Sequence, residues 1–317
     1  MQTGWPTPAR QSPLPDARPT NWVDAHAPEP LKPWLKLGRF DRPIGIWLLM
    51  LPGWQGLALA LGARSGPIDW RQFTIRLALF ALGAALMRAA GCAYNDIVDR
   101  DIDAKVARTA DRPLASGRLG LRQAWTFVAL ACVISLCILL SFNRFAVAVG
   151  AASLLLVAAY PFMKRITWWP QAWLGLTFNW GALLGFAAAE GRLSLAAVLL
   201  YASGVFWTLG YDTIYALQDI EDDALVGVKS TARRLGARAR LGVAVAYGLS
   251  LVFAVSLWPA ARLSWAFAPL TALVALHLAW QVARLRLDDT RLALRLFKSN
   301  RVTGVLLFAA LLAGAWR

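Results

Sequence analysis

Apolar positions gather into nine long runs, at 44–63, 72–94, 121–141, 145–162, 169–189, 194–216, 241–258, 263–283 and 301–316. A run of about 17–25 apolar residues reaches across a bilayer as a helix, the form that satisfies its own backbone hydrogen bonds in lipid. The pattern predicts an all-α integral membrane protein with nine transmembrane helices. Composition agrees, with 58% hydrophobic and 16% charged residues among 317, against about 25% charged in soluble domains, and a mean hydropathy of +0.49. Residues 1–33 differ. Rich in Pro, Ala and polar side chains and lacking a basic-then-apolar signal segment, they predict a disordered amino-terminal tail ahead of a transmembrane domain at 34–317.

The formal charge of +15 raises the question of nucleic acid. Its distribution answers it. Of the 33 Lys and Arg, 25 fall in the amino-terminal tail and the loops after even-numbered runs, with boundary residues counted in their nearest loop. Seven fall on the opposite side, and Arg88 lies inside the second run. This is the positive-inside asymmetry, which predicts a cytoplasmic amino terminus and cytoplasmic even loops and leaves no need for a nucleic-acid partner.

Several features have plain explanations. Cys92, Cys132 and Cys137 form no CxxC pair and are expected as packing residues. His26 and His277 are too few for a zinc site. Trp70, Trp168 and Trp169 fall near run ends, as an interfacial aromatic belt requires.

Acid at the end of an apolar run is less ordinary. "YNDIVDRDID", residues 94–103, follows the second run directly. On a continuing helix Asp96, Asp99 and Asp103 fall at i, i+3 and i+7 on one face, with Asn95 beside them and Asp101 pointing elsewhere. Three converging carboxylates repel one another unless cations compensate, and hard oxygen ligands without His or Cys suit magnesium bridged to a phosphate. A second stretch, "YDTIYALQDIEDD" at 211–223, follows the sixth run on the same predicted side. A shift of 116 residues lays Asp96 on Asp212, Asp99 on Tyr215 and Asp103 on Asp219, and aligns Arg118-Leu119 with Arg234-Leu235, which suggests two related halves. The loops beyond are basic, with Lys105, Arg112, Lys164, Arg165 and Lys229 among their cations. Carboxylates to hold a metal, cations to hold oxygens and apolar walls to hold a tail together fit a lipid diphosphate.

These residues carry a family resemblance. "NDIVDRDID" and "DTIYALQD" followed by Asp223 resemble the paired acidic motifs of the UbiA superfamily of intramembrane prenyltransferases. "DRPIGIWLLMLP" (41–52), "MRAAGCAYND" (87–96), "DRPLASG" (111–117) and "GVKSTA" (227–232) resemble its ubiquinone-pathway branch. The resemblance implies nine helices in two four-helix halves plus one, a central cavity capped by cytoplasmic loops, and a bacterial inner membrane, or the mitochondrial inner membrane for a eukaryotic homologue. It also implies magnesium-assisted transfer of a polyprenyl group to the carbon ortho to the hydroxyl of 4-hydroxybenzoate. One departure is Tyr215, which stands where a simple DxxxDxxxD repeat puts a carboxylate, so the second metal cluster is expected to rest on Asp219 and Asp223, with Asp212 nearby.

Heterolysis of an allylic carbon–oxygen bond needs charge stabilised on the leaving diphosphate and water kept out. Asn95, Asp96, Asp99, Asp103, Asp219 and Asp223 are the expected metal ligands, and Lys105, Arg112, Lys164, Arg165 and Lys229 the expected diphosphate partners. Tyr215 or an Asp carboxylate is expected to take the ring proton or polarise the phenol. The acceptor's carboxylate calls for a cation in an apolar pocket. Arg88, a charge within a span, is the first choice, with Arg42 second and Asn95 available to orient the ring. A transporter would hold its acids near the bilayer midplane, whereas both acidic stretches lie at helix ends on one side, which favours an enzyme.

Overall fold

The computed structural model describes residues 21–63, 67–105, 109–218, 220 and 227–316. They form α1 (Trp22–His26), α2 (Lys32–Leu37), α3 (Ile44–Gly62), α4 (Trp70–Asp103), α5 (Leu121–Leu140), α6 (Arg144–Ile166), α7 (Pro170–Glu190), α8 (Leu195–Ala216), α9 (Thr231–Leu235), α10 (Ala239–Ala260), α11 (Phe267–Arg284) and α12 (Thr290–Ala315). Among the described residues eight helices are long and apolar enough to cross a membrane: α3 to α8, α10 and α12. The chain is an all-α multi-pass membrane protein. The expected crossing at 263–283 corresponds to α11, whose 18 residues include Pro269, His277, Gln281 and Arg284 and which is not among the eight.

Two boundaries differ from expectation. The last helix begins at Thr290 and not near 301, with Asp289 capping it by accepting from the Leu292 amide at 2.8 Å. Its first turns bury Leu292, Ala293, Leu296, Phe297 and Asn300, one helical stripe, and expose Arg291 and Arg295. The folded part also begins before residue 34. Asn21 caps α1 through the Asp24 amide at 3.0 Å, Val23 is fully buried, and the Trp22 indole donates to the Phe40 carbonyl at 2.7 Å. Residues 1–20 of the expected tail lie outside the described residues.

The spine of the bundle is the crossing of α3 and α7, made by glycine. A Cβ on Gly56 would lie 2.2 Å from the Ala182 carbonyl oxygen, and one on Gly185 would lie 2.3 Å from that of Gly53. Lipid tails offer helices no hydrophobic reason to associate, so close backbone approach through small residues supplies the packing. The main core fills the carboxyl-terminal side, around Phe186, Trp207, Tyr211, Tyr247, Phe267 and Leu278. Of the cysteines, Cys92 is buried, whereas Cys132 and Cys137 are exposed and so do not pack as expected.

Candidate active site

A cavity of about 730 Å³ lies in the amino-terminal half, walled chiefly by α4, α5, α6 and α7. Its length follows from α4. Thirty-four residues at about 1.5 Å each outreach a hydrocarbon core of about 30 Å, so α4 is long enough for its last turns to bring the acidic stretch to the membrane surface. Asp96, Asp99 and Asp103 are all buried on the cavity side while Arg100 and Asp101 are exposed, as the i, i+3, i+7 spacing requires. Farther down, Leu79, Phe80, Leu139, Phe142, Val157 and Leu184 give the cavity an apolar wall.

Four cations converge on the three carboxylates. Arg39 Nη2 lies 2.6 Å from Asp96 Oδ1 and 2.8 Å from Oδ2. Arg112 Nη1 straddles Asp96 Oδ1 at 3.1 Å and Asp103 Oδ2 at 2.7 Å. Asp99 accepts from Lys164 Nζ, from Arg165 Nη2 at 3.1 Å and from Asn95 Nδ2 at 3.0 Å.

Local structure explains each position. Arg112 belongs to a loop fastened to the end of α4 by the Thr109 hydroxyl, which donates to the Asp103 carbonyl at 2.8 Å, and anchored by buried Leu114 and Leu119. Lys164 and Arg165 occupy the last turn of α6, where cations complement the helix dipole. Arg39 sits between α2 and α3 with φ of 58°, a left-handed conformation that costs about 1–2 kcal/mol for a non-glycine residue. It is held there by its own contacts to Asp96 and to the Lys36 carbonyl at 2.9 Å. Burial works against its charge, but Asp96 together with Cys92 and Asp41 more than compensates and raises its proton affinity above the usual guanidinium value. Burial also raises the Asp103 carboxyl, beyond the candidate span that ends at Asp101, with Asp96 and Asp99 pushing the same way against Arg112.

Arg88, Arg42 and Tyr215 line the same cavity. Arg88 lies seven residues, about 10 Å of helix, below Asn95, with its guanidinium carbon 5.7 Å from the centre of the Phe178 ring. Its Nε is buried and has no hydrogen-bond partner among the described residues. Arg42 Nε donates to Asp41 Oδ2 at 3.1 Å. Tyr215 packs on Phe297 at 4.6 Å, and Asp212 is half-buried one turn earlier on α8.

Other expected residues stand apart from the cluster. Lys105 is exposed past the end of α4. Lys229 Nζ donates to the Ile166 carbonyl at 3.1 Å, and its amide to the Lys164 carbonyl at 2.9 Å, so it fastens the 227–232 strap to the end of α6. Asp219 and Asp223 lie outside the described residues, and among the described residues no three His, Cys, Asp or Glu side chains are arranged to hold a metal ion. The described donors nonetheless fit magnesium in kind, being three buried carboxylates and an amide oxygen on one stripe. Arg39 is the residue that sequence reasoning missed. In the sequence it stands among the cations of the tail, and only its place two residues before Asp41 in the "DRP" stretch hints at more.

The fold and site define a membrane prenyltransferase. The chain belongs to the UbiA prenyltransferase family, whose model matches residues 49–314. The mitochondrial 4-hydroxybenzoate polyprenyltransferase of Rattus norvegicus is 46% identical over 290 residues, 91% of this chain and 76% of that protein. The protein of the same name from Arabidopsis thaliana is 45% identical over 295 residues, 93% of this chain and 71% of that one. A UbiA homolog from Aeropyrum pernix K1 aligns in three dimensions with a TM-score of 0.70 at 28% identity, covering 83% of this chain and 96% of that one. One from Archaeoglobus fulgidus bound to GPP and Mg2+ has a TM-score of 0.63 at 18% identity over 89% and 99% of the two chains, a likeness of fold.

Proposed function

We propose that this protein transfers a polyprenyl group from polyprenyl diphosphate to the ring carbon ortho to the hydroxyl of 4-hydroxybenzoate, a step of ubiquinone biosynthesis. The observation that carries the reading is the charged cluster at the mouth of an otherwise apolar cavity, with Arg88 set deeper as a separate cation. Relatives named for this activity, about 45% identical over nine-tenths of the chain, support the same acceptor.

Asp96, Asp99 and Asp103, with Asn95, would hold magnesium, joined by Asp219 and Asp223 from the second acidic stretch. When bound, the metal supplies positive charge that offsets charge developing on the leaving diphosphate. Arg39, Arg112, Lys164 and Arg165 then exchange carboxylate partners for diphosphate oxygens within the same cavity, while Lys105 and Lys229 add positive potential at the rim. The prenyl tail lies along α4 toward Phe80 and Phe142, away from water. Arg88 and Arg42 hold the acceptor carboxylate, and Asn95 and Tyr215 orient and polarise the phenol. The carbon–oxygen bond breaks heterolytically, the ring attacks the allylic cation, and loss of the ring proton to a carboxylate such as Asp212 restores aromaticity.

The related acidic stretches support nine crossings in two four-helix halves plus one, with residues 34–317 as a single transmembrane domain. The charge asymmetry supports an inner membrane with the amino terminus and active-site loops on the cytoplasmic side, and the resemblance of the motifs supports a bacterial one. The test is an assay in membranes with geranyl diphosphate and radiolabelled 4-hydroxybenzoate. Label should pass into an organic-extractable product with magnesium and remain aqueous with excess chelator. No product from folded protein, with a longer donor also tried, would overturn the reading.

A further inference from the structure

We propose that Gly45 and Phe178 clamp the Arg88 guanidinium in place for a carboxylate, and thereby select aromatic acceptors that carry one. The inference rests on the function proposed above and assigns the part of the site that chooses the acceptor.

A cation held within a membrane span is expensive and calls for an anion. Among the described residues Arg88 has no acid partner, although four other cations nearby each contact a carboxylate. What holds Arg88 is shape. The Phe178 ring of α7 lies on one side at 5.7 Å from Cζ. On the α3 side is Gly45, where an added Cβ would stand 2.4 Å from Nε, 3.0 Å from Nη2 and 3.1 Å from Cζ. The guanidinium thus rests in the space that any side chain at position 45 would fill. A planar cation confined in this way meets a carboxylate with little further ordering, which favours bidentate pairing. Arg42, three residues before Gly45, brings a second cation to the same cavity, steadied by Asp41.

Gly45 and Phe178 are positioning residues, since both act through Arg88. Because the clash at position 45 is with a flexible side chain, Gly45→Ala should move the guanidinium and spare the helix. In membranes, the variant should raise the KM for 4-hydroxybenzoate about tenfold, the scale of one charge-assisted contact. The donor KM should stay within about twofold, as should the constant for neutral 4-hydroxybenzamide, read as substrate or competitive inhibitor. In an Arg88→Ala background, Gly45→Ala should add nothing, because its whole effect passes through that side chain. Phe178→Leu should reproduce the carboxylate-selective loss, and carries the test if Gly45→Ala does not insert. Equal losses on both acceptors, or additive losses in the Arg88→Ala background, would overturn the clamp. Failure of the parent reading shows separately, as a wild-type protein that does not prenylate 4-hydroxybenzoate at all.

Discussion

Both sides of this bundle bury polar residues, and they treat them in opposite ways. On the α8 to α12 side the groups are neutral and satisfy one another. Trp207 Nε1 donates to Asn300 Oδ1 at 2.8 Å, Asn300 Nδ2 to Gln281 Oε1 at 3.1 Å, Tyr247 to the same Gln281 oxygen at 2.8 Å, and His277 meets Thr303 at 2.8 Å. These bonds join α8, α10, α11 and α12, and none of the six side chains lines the large cavity. On the α4 to α6 side the groups are ionised and border a cavity of about 730 Å³. Neutral hydrogen bonds between helices are glue in lipid, whereas charges gathered around a space are an arrangement awaiting a ligand. Burial alone would rank Asn300 and Asp96 together, at 0% and 1% exposure; charge and the adjoining space separate them.

The comparison can be broken by experiment. The largest effect should come from Asp96→Asn, which removes the carboxylate that Arg39 and Arg112 both contact and should lower turnover about 10³-fold with the protein still folded. Wild-type turnover would remove Asp96 from the site. Arg39→Gln should raise the donor KM between about tenfold and a hundredfold, the scale of a charge-assisted diphosphate contact, and an unchanged donor KM would reduce Arg39 to a structural partner of Asp96. Arg88→Ala should act on the other substrate, raising the acceptor KM about tenfold or more with the donor KM unchanged. Smallest in activity should be Asn300→Leu on the neutral side. It should cost about 1–2 kcal/mol of stability in a thermal melt in detergent, with turnover per folded molecule close to wild type. A variant as inactive as Asp96→Asn would join the two sides into one functional unit.

Much of this was legible in the sequence because it is local. The acidic stripe of α4 follows from helical spacing, and Lys164 and Arg165 follow from two cations at one helix end. Arg39 escaped because its partner stands 57 residues away and its backbone adopts a conformation that a non-glycine residue does not advertise. Lys105 and Lys229 are near the acidic stretches in sequence, but the chain directs one to solvent and the other to a carbonyl of α6. The early start of α12 was present as a stripe of Leu292, Ala293, Leu296 and Phe297, obscured by Arg291, Arg295 and Lys298 on the remaining faces. Tyr215 departs from the acidic repeat in the sequence and lines the cavity in the structure.

In the proposed reaction the carboxylates of α4 exchange their arginine and lysine partners for magnesium, and the freed cations take the diphosphate oxygens. Calorimetric binding of geranyl thiolodiphosphate to the purified protein in lipid, with and without magnesium, tests it without relying on turnover. The account predicts binding that requires magnesium and is lost in Asp96→Asn. Equal affinity without magnesium, or in Asp96→Asn, would contradict it.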